Sequence, residues 1–342
     1  MTVRVGIVGA SGYTGGELIR LLSDHPAVDL VHLAAGRAAG EPLEHVWPGL
    51  RNDERLAHLT LESYDPERAA TLCDVIFLAL PHGISANTAP QLVDANCTVV
   101  DLGADFRLQD PTQYERYYGA SHPCPERLSS AVYGLVEWNR EALKGAKLIA
   151  NPGCYPTVIS LAVRPFVASG LVDGAVIADC LSGVSGAGRD ATAGTHFCAV
   201  SESAKAYKAG GVHRHVPEIQ QSIQCPVTFT PHLIPINRGM LATVHFRPKG
   251  SVTLEDLQNV LQKRYAGEAM VCVRDTIPAT ADVRGSNRAH VHVCYDDERN
   301  MVTVIGVIDN LLKGASGQAV QAMNVALGLP EAQGLPTLPL VP

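Results

Sequence analysis

Residues 3–8, Val-Arg-Val-Gly-Ile-Val, form a short β-branched run that ends on Gly9 and passes within a few residues into a helical pattern over 14–22. Strand, tight turn and helix in that order constrain the chain more than any other feature, because a strand feeding directly into a helix starts the crossover that a parallel sheet requires. The pattern recurs. Further short apolar runs lie at 29–34, 75–80, 98–101 and 147–150, closed by Ala35-Gly36, Pro81-His82-Gly83, Leu102-Gly103-Ala104-Asp105 and Asn151-Pro152-Gly153. Short apolar strands with helical or mixed connections predict a parallel sheet covered on both faces.

From about 153 the rhythm changes. A helix is expected over 157–168, a strand over 175–181, then a Gly/Ser-rich loop, and longer strands over 227–233, 240–246, 289–295 and 302–308 with a helix at 254–265. In Met240-Leu241-Ala242-Thr243-Val244-His245-Phe246 the even positions are mainly apolar, which implies one covered face. This half therefore reads as an α+β domain with a largely antiparallel or mixed sheet covered on one side. A closing helix is expected over 317–327. The 342 residues suit two domains: a cofactor domain over 1–152, to which 310–342 returns, and a catalytic and oligomerisation domain over 153–309.

Lys plus Arg number 27 against 34 Asp plus Glu, a formal charge of −7 that gives no reason to expect a nucleic-acid partner. No apolar stretch reaches the roughly 20 residues that span a bilayer, so no membrane partner is expected and the cytoplasm is the expected location. The nine cysteines are scattered with no CxxC pair, which argues against disulfides and zinc. Most lie in apolar runs as small buried hydrophobes; Cys154 does not.

Gly9-Ala10-Ser11-Gly12-Tyr13-Thr14-Gly15 follows the first strand as a GxxGxxG turn. Its glycines permit close approach of backbone N–H groups to a pyrophosphate at a helix N-terminus, the mark of a Rossmann cofactor domain. The second strand ends in Ala34-Ala35-Gly36-Arg37, without the acid that takes a ribose 2′-hydroxyl and with a guanidinium suited to a 2′-phosphate. NADP is the expected cofactor. Pro81, at the end of the third strand, lies on the same ligand-facing edge.

Asn151-Pro152-Gly153-Cys154-Tyr155-Pro156-Thr157 closes the fifth strand just before a helix, where unpaired N–H groups stabilise a thiolate. A thiolate beside a nicotinamide suggests acyl transfer coupled to hydride transfer, with an acyl phosphate as the small-molecule substrate. His213 and His215, in Gly211-Val212-His213-Arg214-His215-Val216-Pro217-Glu218, are the acid–base candidates, and the sequence does not choose between them. Their HxH spacing has no third ligand at motif distance, so no metal is expected. Arg107, after the fourth strand, and Arg189, ending the loop Ser182-Gly183-Val184-Ser185-Gly186-Ala187-Gly188-Arg189, are candidates for a phosphate. The loop's Ser182, Gly183 and Ser185 can present N–H groups to nicotinamide or phosphate.

Together these motifs, with Asp309-Asn310-Leu311-Leu312-Lys313-Gly314-Ala315-Ser316-Gly317, make the chain resemble the N-acetyl-gamma-glutamyl-phosphate reductases, the arginine-biosynthesis branch of the aspartate-semialdehyde-dehydrogenase-like enzymes. The resemblance covers essentially the whole chain. It implies NADPH-dependent reduction of N-acetyl-glutamyl 5-phosphate to the 5-semialdehyde with release of phosphate. It places the nucleophile on Cys154 and the acid–base on His213, with His215 and Glu218 lining the substrate region and Arg107 near the phosphate. It also implies that Ser11, Gly12, Tyr13 and Thr14 face the cofactor phosphates, that the segment from Asn310 returns to the nicotinamide side, and that the chain forms a homodimer or homotetramer. Where the family carries a small residue after Thr157 this chain has Val158, read as a packing change. The same chemistry on an aminoadipyl or aspartyl phosphate is the alternative within the enzyme class, and a dinucleotide sensor the alternative outside it.

Overall fold

The computed structural model describes residues 2–51, 53–56 and 59–341. They divide into two compact units, Met1–Pro152 with Ala315–Leu335, and Gly153–Gly314 with Pro336–Pro342.

The first unit is built on six strands, β1 (Val3–Val8), β2 (Val28–Ala34), β3 (Val75–Leu78), β4 (Thr98–Asp101), β5 (Val132–Tyr133) and β6 (Leu148–Ala150). They run in the order β2-β1-β3-β4-β6-β5 with every pairing parallel. Residues of β3 and β4 are buried throughout, as expected of strands covered on both sides, so their apolar runs are continuous rather than alternating. Strand order reverses between β1 and β3, and ligands of such sheets bind outside the carboxyl ends at that point. The returning helix Gly317–Ala326 is buried along its whole length. Two of its amides are paired: Gln321 donates to Glu137 (3.0 Å), and Asn324 donates to the carbonyls of Glu331 (3.1 Å) and Gln333 (2.9 Å). Buried amides satisfied in this way fix one docking register, because any slip would strand them.

The second unit carries β7 (Val172–Ser182), β8 (Lys205–Ala206), β9 (Val227–Leu233), β10 (Met240–Pro248), β11 (Val271–Val273), β12 (Ala289–Asp296) and β13 (Met301–Ile308). The order is β11-β12-β13-β10-β7-β9-β8, with β11–β12 and β7–β9 parallel and the rest antiparallel. This is the mixed sheet covered on one side that the alternation predicts: Met240, Ala242, Val244 and Phe246 are buried while Leu241, Thr243 and His245 are half-buried. Helices Cys154–Ala168 and Leu254–Tyr265 pack on the covered face. Gly306 of β13 permits the close approach, since a Cβ there would lie 3.1 Å from Val158 Cγ2. Val158 thus faces the sheet and acts in packing.

The ends of the chain divide differently from the boundaries drawn from sequence. Residues 310–314 group with the second unit, and so do 336–342, where Asn287 N donates to Pro336 O (2.7 Å) and Leu340 N to Arg284 O (2.7 Å). Among the described residues, no helix is long and apolar enough to cross a membrane.

Candidate active site

In the first unit the glycine turn is shaped by close approach. Gly9 has φ +97°, and a Cβ at Gly15 would lie 2.7 Å from Ala10 Cα. Gly9 N and Ala10 N both donate to Ala34 O (2.8 and 3.0 Å), and Gly12 N donates to Gly9 O (3.1 Å). Helix Tyr13–Ser23 then starts with Gly12 as its N-cap, no side-chain cap and no acid in its first turn. A turn closed to a Cβ at Gly9 and Gly15, opening onto a helix start without a side-chain cap, fits a dinucleotide pyrophosphate. Ser11 and Thr14 are half-buried in the turn and Tyr13 is exposed at its rim.

At the end of β2, Gly36 and Arg37 are exposed. Sequence reading missed a nearby acid: Glu62 forms a bridge beside Ala34, but its carboxylate accepts from Arg68 (3.0 and 3.3 Å). Pro81 begins an exposed loop that is anchored from the segment after β4. The Asp105 carboxylate accepts from Gly83 N (2.7 Å), Ala86 N (3.0 Å) and Tyr114 Oη (3.0 Å). Asp101 is fully buried, and burial pushes its carboxyl up to about 6. Arg107 is buried, with Nε donating to Asn151 O (2.8 Å) and a terminal nitrogen donating to Leu102 O (2.9 Å), so it ties the ends of β4 and β6 together.

In the second unit, helix Cys154–Ala168 begins on the cysteine itself, three residues earlier than the sequence suggested. Pro156 falls in the first turn, where the missing N–H is an orphan in any case. Gly153 is the N-cap with no side-chain cap, and its own N–H donates to Glu218 Oε1 (2.8 Å). Cys154 is partly exposed, unlike the buried Cys73, Cys97, Cys124, Cys180 and Cys225. Gly314 packs against it: a Cβ there would stand 2.8 Å from Cys154 Cβ. That glycine was legible only as part of a motif. Its reason is the close passage of the turn after β13 over Cys154.

His213 is buried, and its Nδ1 accepts the backbone N–H of His215 (3.1 Å). Its ring meets Phe229 (5.2 Å, 89°), Tyr155 (5.8 Å, 84°) and Tyr207 (5.7 Å, 62°), while His215 lies 4.9 Å away. Tyr155 and Tyr207 join their hydroxyls at 2.9 Å. Burial in this box, with Lys208 and Arg214 adding positive charge nearby, lowers the imidazole to about 4. His213 is therefore neutral at physiological pH. With Nδ1 taking an N–H, its proton is on Nε2 and the ring presents a donor. Because Tyr155 follows Cys154 directly, the box lies against the first turn of helix Cys154–Ala168.

A third group gathers around Asn310. Its Oδ1 accepts from Gly239 N (2.8 Å) and its Nδ2 donates to Ser185 Oγ (2.9 Å). Gly183 N donates to Gly239 O (2.9 Å), and a Cβ at Gly186 would lie 3.1 Å from Ser182 Oγ. Asn310, Ser182, Gly183 and Ser185 thus form one cluster. Arg189 follows Gly188 as an exposed residue.

The fold and this constellation match two family models in succession. The semialdehyde dehydrogenase NAD binding domain covers residues 4–146, and the semialdehyde dehydrogenase dimerisation domain covers 154–310. The chain is a nicotinamide-dependent oxidoreductase. Among curated relatives, the N-acetyl-gamma-glutamyl-phosphate reductase of Symbiobacterium thermophilum is 47% identical over 98% of each chain. That of Magnetococcus marinus is 45% identical over 100% of this chain and 99% of its own. This chain belongs to the N-acetyl-gamma-glutamyl-phosphate reductase family. Solved structures with the same fold include aspartate semialdehyde dehydrogenase II from Vibrio cholerae (TM-score 0.72, 20% identity, 95% of this chain and 98% of that one). The Candida albicans aspartate semialdehyde dehydrogenase with NADP has a TM-score of 0.70 and 16% identity, over 95% and 98% of the two chains.

Proposed function

We propose that the protein reduces N-acetyl-glutamyl 5-phosphate to N-acetyl-glutamate 5-semialdehyde with NADPH, releasing phosphate, through a thioester on Cys154. The observation that carries this reading is Cys154 at the first position of an uncapped helix, partly exposed and held between Gly314 and the Glu218-bound Gly153. The helix N-terminus favours the thiolate. Its sulfur adds to the acyl carbon, a C–S bond forms, the bond from that carbon to the phosphate oxygen breaks, and phosphate leaves with the electron pair and takes up one proton. The nicotinamide, when bound, supplies the hydride that reduces the thioester. The C–S bond then breaks, freeing the aldehyde and returning the thiolate. At both tetrahedral stages an oxyanion needs a donor, and neutral His213 offers Nε2–H. Glu218 acts by fixing Gly153 and so the sulfur's place. Arg107, Arg189, Ser185 and His215 are the side chains we assign to the acyl phosphate, and Ser182, Gly183 and Asn310 to the nicotinamide side.

Incubating the enzyme with the acyl phosphate and no cofactor should leave an N-acetylglutamyl adduct on the Cys154 peptide, detectable by mass spectrometry. An unmodified Cys154 under conditions that support turnover would refute the thioester.

NADP is favoured over NAD by Arg37, exposed at the end of β2 where Glu62 is already paired. Arg37→Ala should raise KM for NADPH by about tenfold while leaving KM for NADH within twofold, since one charge-assisted phosphate contact is worth about 1.5–3 kcal/mol. Equal effects on both cofactors would remove Arg37 from the 2′-phosphate. The half-buried outer face of β10 and the family's dimerisation model support pairing of two copies through the second unit.

A further inference from the structure

Gly15 is explained by the turn itself, but Gly16 is not. It lies on the helix, on no pyrophosphate-facing turn, and its φ is not positive. What excludes a side chain there is Trp47: a Cβ on Gly16 would lie 2.5 Å from Cζ2, 2.7 Å from Cε2 and 2.9 Å from Cη2 of the indole. The six-membered ring is thus seated directly on the helix backbone. The adjoining Nε1 of the same indole reaches the glycine turn, where Trp47 Nε1–H donates to the carbonyl of Ala10 (3.0 Å), a residue with no exposure. Trp47 is itself held between the turn Leu43–Val46, whose Leu43 carbonyl accepts its N–H (2.9 Å), and the 3-10 turn Pro48–Leu50. One side chain therefore contacts the dinucleotide turn twice, by hydrogen bond before Gly12 and by ring packing after Gly15.

We propose that Trp47 is a positioning residue for the dinucleotide: it holds the Gly9–Gly15 turn and the first turn of the following helix in the shape that presents their N–H groups to the pyrophosphate. The two contacts have separable effects. The N–H fixes the tilt of the Ala10 peptide, next to the amides that face the phosphates. The ring keeps the helix start pressed against its neighbour, which only glycine at position 16 allows.

The test is a double-mutant cycle between Trp47 and Gly16, read as KM for NADPH and kcat separately, together with the NADPH dissociation constant from direct titration. Trp47→Phe keeps an aromatic ring at position 47 and loses the N–H. It should weaken NADPH roughly fivefold, the worth of one hydrogen bond, with kcat at saturating cofactor within about twofold. Gly16→Ala should weaken NADPH by about tenfold or more in the presence of the indole, because overpacked sites must shift to admit a methyl. In a Trp47→Ala background the same change should cost less than about twofold, since the space is vacated. A structural role elsewhere in the domain would lower stability and kcat without this non-additivity in cofactor affinity. The proposal is overturned if Gly16→Ala costs the same with and without Trp47, or if Trp47→Phe leaves the NADPH dissociation constant unchanged. Should Trp47→Ala fail to fold, Trp47→Leu supplies the vacated background, and the Phe arm stands by itself.

Discussion

Cys154→Ser is expected to lower kcat by at least about 10³-fold while leaving the dissociation constant for NADPH within twofold. The reason is the position of the sulfur. A thiolate at the first residue of a helix without a side-chain cap is favoured by the helix N-terminus, whereas a serine hydroxyl there stays protonated and is a poor nucleophile without a strong base. In the role we propose, His213 does not supply that base, since its Nδ1 accepts the His215 N–H and burial lowers the ring to about 4. Steady-state rates and cofactor titration on the same preparation check the prediction. Residual turnover within tenfold of the parent would mean that hydride transfer proceeds without the covalent step.

The second large effect belongs to His213. Removing an oxyanion donor costs about 10²–10³ in rate, so His213→Ala should lose that much in single-turnover measurements. His213→Asn, which still offers an N–H, should recover about tenfold of the loss if the donor role is right. His215→Asn should cost less than either variant of His213. The pH dependence gives an independent readout. Burial lowers His213 to about 4 in the folded protein, against an ordinary value of 6.5. Its neutral form therefore persists well into acid, and the His213 limb of the rate profile should lie near 4. The same shift acts on stability. The contribution linked to neutral His213 is complete above 6.5 and declines as pH falls from there through about 4, because the unfolded chain takes up the proton more readily. An acid limb near 6.5 that disappears in His213→Asn would show an imidazolium working at neutral pH instead.

Much of the first unit was legible because its sheet is parallel and buried, so each strand appears as a short apolar run with a glycine or proline boundary. The alternating strands of the second unit were legible for the opposite reason, one covered face. The start of the helix at Cys154 was not, because Pro156 reads as a boundary, although a first-turn proline is compatible with the helix beginning there. What escaped entirely are the contacts made over long separations. Glu218 binding Gly153, Asp105 anchoring Gly83, Tyr207 joining Tyr155, and Gly314 meeting Cys154 each leave only an ordinary residue in the sequence. Arg107 illustrates the limit from the other side. Its place after β4 suggested a phosphate ligand, and what the structure shows is two donors committed to backbone carbonyls, a tie invisible to any local pattern.

The substrate is the point on which the whole account turns, since cysteine, histidine and cofactor domain would serve any acyl phosphate. The most direct measurement is NADPH oxidation by the purified enzyme with N-acetyl-glutamyl, N-acetyl-aminoadipyl and aspartyl phosphates side by side, each followed to its aldehyde. The account predicts the highest kcat/KM with the N-acetyl-glutamyl compound. A margin of about 10- to 200-fold is expected over the homologue one methylene longer, the discrimination that a single methylene allows. A preference for either of the other two would contradict it, and no oxidation with any of the three would contradict the acyl-phosphate reductase reading itself.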